Sequence, residues 1–216
     1  MAFIRMESKM KKREKAIGQL AVLSCLSAVL LIGLLAIRST PVYAHVQPAP
    51  CDFTTGGGFV ITDSGNHANF GLVAGCKNGG YYGHFNFVDH DSVGMWAGLH
   101  VSSTQITGYF DPCIAGCGNP PKYRDICGTA NTNLFGPVYF RARTYDGGEP
   151  GSGANGPDRF GLKLEKDGLG SAVVVSTRFL AGGNIQLHKP NPSNIGPNPA
   201  PDEMTACHMD DSGLGS

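Results

Sequence analysis

The sequence predicts an all-β domain, an antiparallel β-sandwich or partly open barrel of about eight strands, stapled by disulfides. Three observations lead there. Helical periodicity is hard to find after residue 50, while short β-branched and aromatic runs recur between glycine-rich turns. Several of those runs alternate with a period of two, as a half-buried strand does. Six cysteines come after an apolar leader, the pattern of an exported chain with a disulfide framework.

The expected strands are "GGFVITD" (57–63), "ANFGLVAGC" (68–76), "YYGHFNFVDH" (81–90), "WAGLHVSSTQITGYF" (96–110), "PVYFRARTY" (137–145), "RFGLKLEK" (159–166), "SAVVVSTRF" (171–179) and "NIQLHK" (184–189). Their connections, such as "CKNGG", "DGGEPGSGANGPD" and "KDGLG", hold residues that nucleate turns or tolerate positive φ. In the third run Phe85, Phe87 and Asp89 share a face. In "VYFRARTY", Val138, Phe140, Ala142 and Thr144 oppose Tyr139, Arg141, Arg143 and Tyr145, which predicts one buried and one wet face. The unbroken "AVVVS" predicts a central strand. In "LAGGNIQLHKPN" (180–191), Gly182 and Gly183 predict a bulge or sharp bend, Ile185 and Leu187 a buried face, and Pro190 the end of pairing. Two segments fit no strand. "DPCIAGCGNPPKYRDIC" (111–127) reads as a cysteine-rich excursion, and the Pro/Asn/Ser-rich 191–216 as a flexible tail.

The start of the chain sets the compartment. A basic stretch over 1–15 precedes an apolar run of 22 residues from Ala16 to Ile37. Val42 and Ala44 then fit the small-residue pattern of a signal peptidase site, predicting cleavage after Ala44. An uncleaved anchor is the competing reading and would be the chain's one tie to a membrane. The expected division is therefore 1–44 signal peptide, 45–55 lead-in, 56–190 β domain and 191–216 tail. Seven of the 17 basic residues and two of the 17 acids lie in 1–44. Residues 45–216 carry 10 basic residues against 15 acids, a formal charge of −5 that argues against nucleic acid as a partner. The disulfide candidates are Cys51, Cys76, Cys113, Cys117, Cys127 and Cys207, and their pairing is open.

Chemistry-bearing clusters are sparse. Asp146, Glu149 and Asp158 on the glycine-rich loop are the candidate calcium ligands, with Asp89 and Asp91 as a second acidic group; calcium takes six to eight oxygens, and such loops supply carboxylates and carbonyls. His84 and His90 share a face but lie about 20 Å apart at ~3.3 Å per residue, too far to share an ion. There is no Gly-x-Ser-x-Gly elbow, and no catalytic residues are assigned. Asp89 with Glu149 is the pair a glycosidase reading would use. Tyr81, Tyr82, Trp96 and Tyr109 are the aromatics open to a sugar platform, Trp96 being read first as core.

The phrases "GGGFV", "VDHD", "YDGGEPGSG" and "LAGGNIQLHK", in that order, resemble those of the bacterial post-COAP-type domain, through Gly56–Phe59, Asp89–His90, Asp146 with Gly148–Gly151, and Gly182–Gln186. The resemblance covers residues 56–189 and departs from the usual pattern at 111–127. It implies a β-sandwich-like exported module and implies no catalytic activity. The expectation is thus a non-enzymatic exported module, structural, adhesive or ligand-binding at the cell surface or outside the cell. A surface protein or polysaccharide is the expected partner; the alternatives are a calcium-stabilised or carbohydrate-binding domain and a glycoside hydrolase.

Overall fold

The computed structural model describes residues 45–112, 122–150 and 157–215. Nine strands form one antiparallel sheet: β1 Phe53–Ile61, β2 His67–Lys77, β3 Gly80–Asp89, β4 His100–Phe110, β5 Tyr123–Thr132, β6 Gly136–Tyr145, β7 Arg159–Lys166, β8 Gly170–Phe179 and β9 Gly182–His188. The order is β8-β7-β6-β5-β4-β3-β2-β1-β9, an up-and-down meander whose last strand returns to pair with the first. The sheet curls into a half-closed barrel.

Rings from strands far apart in the sheet meet inside the curl. Phe70 of β2 stacks on Phe160 of β7 with centroids 4.0 Å apart, and Phe85 of β3 lies 4.9 Å from Phe140 of β6. All four are 6% exposed or less. A fully buried Phe contributes on the order of 2 kcal/mol and a good ring pair about 1 more, so this stack is a main force holding the curl. The alternation in β3 and β6 puts Phe85, Phe87, Asp89, Val138, Phe140 and Ala142 inward as expected, but Arg141 and Arg143, expected on a wet face, are buried as well.

Where the two edges approach, β9 crosses from the β7 side to β1. Leu180 N donates to the Asp158 carbonyl and Ala181 N to the Phe59 carbonyl. The β1–β9 register runs unbroken from Phe53↔His188 to Phe59↔Gly182, so Gly182 and Gly183 make no bulge. They serve close approach instead: Gly183 has φ +105°, and a Cβ there would overlap the backbone of Gly57 and Gly58.

Three expectations are corrected. Strand β5 falls within and beyond the segment read as an excursion. Its sequence "YRDICGTANT" hides the alternation, because charged residues face both ways: Arg124 inward to Asp52, Asp125 outward to Arg141 and Arg143. The apolar β8 is an edge strand, not a central one. Its valines are used on both sides, with Val175 in the core and Val173 beside Gly213 of the C-terminal segment.

The third correction concerns 191–216. Its described part is packed, with Ala206, Cys207, Met209 and Leu214 all buried. A short helix, α1 (Glu203–Cys207), is capped by Asp202, whose carboxylate accepts from Thr205 N at 2.9 Å. Asn191, Asn194 and their neighbours bond one another, and Asn194 donates to the Cys76 carbonyl. Composition suggested a polymer-like tail, but one cross-link and counter-charges on the sheet hold it. Two disulfides are formed, Cys51–Cys76 and Cys127–Cys207; Cys113 and Cys117 lie outside the described residues. No helix among the described residues is long and apolar enough to cross a membrane.

Candidate functional site

The carboxylates of the 145–158 loop gather along β9. The amides of Ile185 and Leu187 point away from β1, toward an edge that has no strand partner. Asp158 fills one gap: Oδ2 accepts from Ile185 N at 2.7 Å and Oδ1 from Gly147 N at 2.9 Å. Asp146 fills the next, with Oδ2 accepting from Leu187 N at 2.8 Å and Oδ1 from Gly148 N at 3.0 Å. Glu149 Oε1 accepts from Asn184 Nδ2 at 3.0 Å. These side chains close the barrel seam where a ladder would otherwise run. Burial raises the pKa of Asp158, opposed by its two amide donors and reinforced by the charges of Asp146 and Glu149.

Asp89 and Asp91 stand elsewhere. Asp89 is opposite Ala68 at the end of β3 and accepts from Asp91 N at 2.7 Å; burial raises its pKa. Asp91 accepts from Thr62 and Ser64 in the β1–β2 turn. Asp89 faces the barrel interior, whereas Glu149 reaches Asn184 on the outer face, so the two acids lie on opposite sides of the sheet. His84 bonds Asn86 and Ser103. Tyr109 is fully buried, Tyr81 donates to Gln47 with its pKa pushed up to about 12 by burial, and Trp96 packs edge-on against Phe135. Of the aromatics considered for a sugar platform, Tyr82 alone sits on the outer face of the sheet.

Sequence patterning gave no hint of a charged assembly on the outer side of β5–β7. Asp125, fully buried, accepts from Arg141 Nε and Arg143 Nε at 2.8 Å each, and from both NH2 groups. Burial alone would raise its pKa, but the two guanidinium groups outweigh that and hold it below the usual carboxylate range. The C-terminal segment completes the assembly. Glu203 pairs with Arg141, Asp211 with Arg143 at 2.7 Å, and Asp210 with Lys163 at 2.6 Å. Arg141 and Arg143 also donate to the carbonyls of Met209 and Gly215.

His45, Glu203 and Asp211 are the described residues whose potential metal-ligand atoms come within 4.8 Å of one another. They suit an ion pair network better than a dication. Arg141 NH2 lies 2.5 Å from His45 Nδ1, and Arg143 already holds Asp211, so an added cation would meet two guanidinium groups. Nothing in the spacing of 45, 125, 141, 203 and 211 announces this cluster; the lead-in and the C-terminal segment bring it together.

A second buried network lies inside the barrel mouth. Asp52 accepts from Arg124 NH2 at 2.5 Å and from Tyr109 OH at 2.8 Å, and Tyr109 OH also meets Thr54 Oγ1 at 2.8 Å. Outside it, a cavity of about 670 Å³ lies between the lead-in (45–51) and residues 194–201, with proline-rich walls.

The other outer side, across β9-β1-β2-β3, is unlike the rest. Its rows run Gln186–Thr55–Val73–His84, then Asn184–Gly57–Gly71–Asn86, then Gly182–Phe59–Asn69–Val88. Phe53 stacks on His188 with centroids 4.4 Å apart, and Phe59 leans on His67 at 4.5 Å.

Comparison with family models, with curated proteins and with solved structures yields no match.

Proposed function

We propose that this chain is an exported, non-enzymatic β module, freed by cleavage after Ala44, that works outside the cytoplasm as a structural, adhesive or ligand-binding domain. The observation that carries the reading is the pair of disulfides. Cys51–Cys76 ties the lead-in to β2, and Cys127–Cys207 ties the C-terminal segment to β5, with all four sulfurs buried. Cross-links of this kind belong to an oxidising compartment.

The basic and apolar leader supplies the route out. The ordered phrases that resemble the post-COAP-type domain agree with an exported module. The ring-filled barrel interior and the paired buried charges suit a stable scaffold presenting its outer surface. The test is expression in an exporting host, then N-terminal sequencing and mass determination before and after reduction. The reading expects a chain starting at His45, with the Cys51–Cys76 and Cys127–Cys207 cross-links in place. An unprocessed chain with free thiols would overturn it.

A further inference from the structure

The middle of the outer face of β9-β1-β2-β3 carries no charged strand residue, with Lys77 at the end of β2 and Glu149, bonded to Asn184, at its borders. Between residues 53 and 61 of β1, 67 and 75 of β2, 82 and 88 of β3, and 184 and 188 of β9, no outward position holds Asp, Glu, Lys or Arg. Amides, hydroxyls, imidazoles and phenyl rings take their place.

Across the middle of this face runs a shallow trough. Gly57 and Gly71 are paired neighbours and form its floor. Asn184 and Asn86 stand at its two ends, about 14 Å apart over three strand spacings. The next row on one side carries Thr55, and the next on the other carries Phe59 with His67 leaning on it. The floor is bare for no reason of packing. A Cβ on Gly71 would meet no atom within 4 Å, and one on Gly57 would make only ordinary contact. Neither glycine has a positive φ. A strand gains from a side chain at such positions, so two adjacent glycines there keep the backbone open to something else.

We propose that this trough binds a neutral polysaccharide, sugar rings lying over the glycine floor and against Phe59, with their hydroxyls bonding to Asn86 and Thr55. No strand position in the trough is charged, which matches an uncharged ligand, and the Glu149 carboxylate at its Asn184 end repels an anionic one. The density of amide and hydroxyl groups suits a polyol better than an apolar partner. This inference rests on the ligand-binding form of the function proposed above and names its ligand class.

The test is retention of the purified, oxidised full chain on insoluble cellulose and chitin and on immobilised neutral soluble glucan, with polygalacturonate as the anionic contrast. Gly71→Arg fills the trough from a Cβ that meets no atom within 4 Å, and Phe59→Ala removes its wall. The expected result is binding to at least one neutral polymer, reduced tenfold or more by Gly71→Arg at an unchanged melting temperature, and reduced by Phe59→Ala. No neutral polymer bound, equal binding by wild type and Gly71→Arg, or preference for polygalacturonate would each overturn it. So would sedimentation showing self-association that Gly71→Arg abolishes, which would assign the face to a second copy. The assay is independent of the compartment of origin, so failed export and failed binding are read separately.

Discussion

The two outer sides of this barrel solve the same problem in opposite ways. On the β5–β7 side the outward residues are Asp125, Arg141, Arg143 and Lys163, and the sheet is roofed by residues 202–215 carrying the matching acids. On the β9-β1-β2-β3 side the outward residues of the middle rows are uncharged, and a Cβ on Gly71 would meet no atom within 4 Å. The contrast shows what charge does on a strand face. Buried charges demand specific partners and fix one covering segment in one place, whereas an uncharged, hydrogen-bonding face stays stable in water and remains available.

The roof is the place to break this difference hardest. Replacing Cys127 and Cys207 together by Ser frees a segment whose disulfide spans 80 residues. The loop-entropy relation gives a loss of about 4.5 kcal/mol, against about 3.5 for the 25-residue Cys51–Cys76 link. Urea unfolding of both variants measures this, and a smaller loss for the Cys127–Cys207 pair would contradict it. Asp125→Ala comes next. It strips two buried guanidinium groups of their shared anion and should cost about 3–5 kcal/mol in the same assay. A loss below about 1 kcal/mol would mean that the carbonyls of Met209 and Gly215 with Glu203 and Asp211 suffice.

Much of the fold was legible in the sequence, and the failures share one cause. β-branched and aromatic runs between turn signals placed eight strands, and β7 (159–166) matched to the residue, but the face of Arg141 and Arg143 that alternation marked as wet is buried. Alternation also failed at β5, where Arg124 and Asp125 point to opposite sides and each is neutralised by a residue far along the chain. The roof failed for the same reason. Nothing near Met209 or Asp211 signals that Arg141 and Arg143, roughly 70 residues earlier, are their partners. The carboxylates of the 145–158 loop stood out as candidate calcium ligands, but short-range spacing could not show that Asp158 and Asp146 accept from the amides of β9. The bare trough was invisible because strand register, not sequence distance, sets Gly57 beside Gly71.

The seam offers a milder cut. Asp158→Asn leaves one of two amides, Gly147 N or Ile185 N, facing an NH2 group, and should cost about 1–3 kcal/mol. Acid separates seam from roof without mutation. Asp125 and Glu203 have lowered pKa values in the folded chain, so the stability they contribute above the ordinary carboxylate range is lost as pH falls below that range, through their folded values. Asp158 is raised, so the cost of its ionised form is already relieved as pH falls toward the ordinary carboxylate range from above. Amide exchange below about pH 4 should therefore quicken over 203–215 before it quickens over 182–188. The reverse order would contradict the assignment of the roof as the acid-sensitive side.

The smallest effect sharpens the comparison most. Gly58→Ala, on the inward side of β1, would drive a Cβ into the carbonyl oxygen of Gly182, and should cost about 1–3 kcal/mol as an overpacked contact. Gly71→Ala meets nothing, and an alanine in a strand is better than a glycine by roughly 0.5–1 kcal/mol. Stability should therefore rise slightly at Gly71 and fall at Gly58, although both are strand glycines of the same sheet. If thermal unfolding gives that pair of signs, Gly58 is there because the backbones of β1 and β9 need the space. Gly71 then lowers stability where it stands, and its reason lies in what the open face contacts. If Gly71→Ala instead destabilises, the bare trough is a requirement of the fold and loses its standing as a surface kept clear for a ligand.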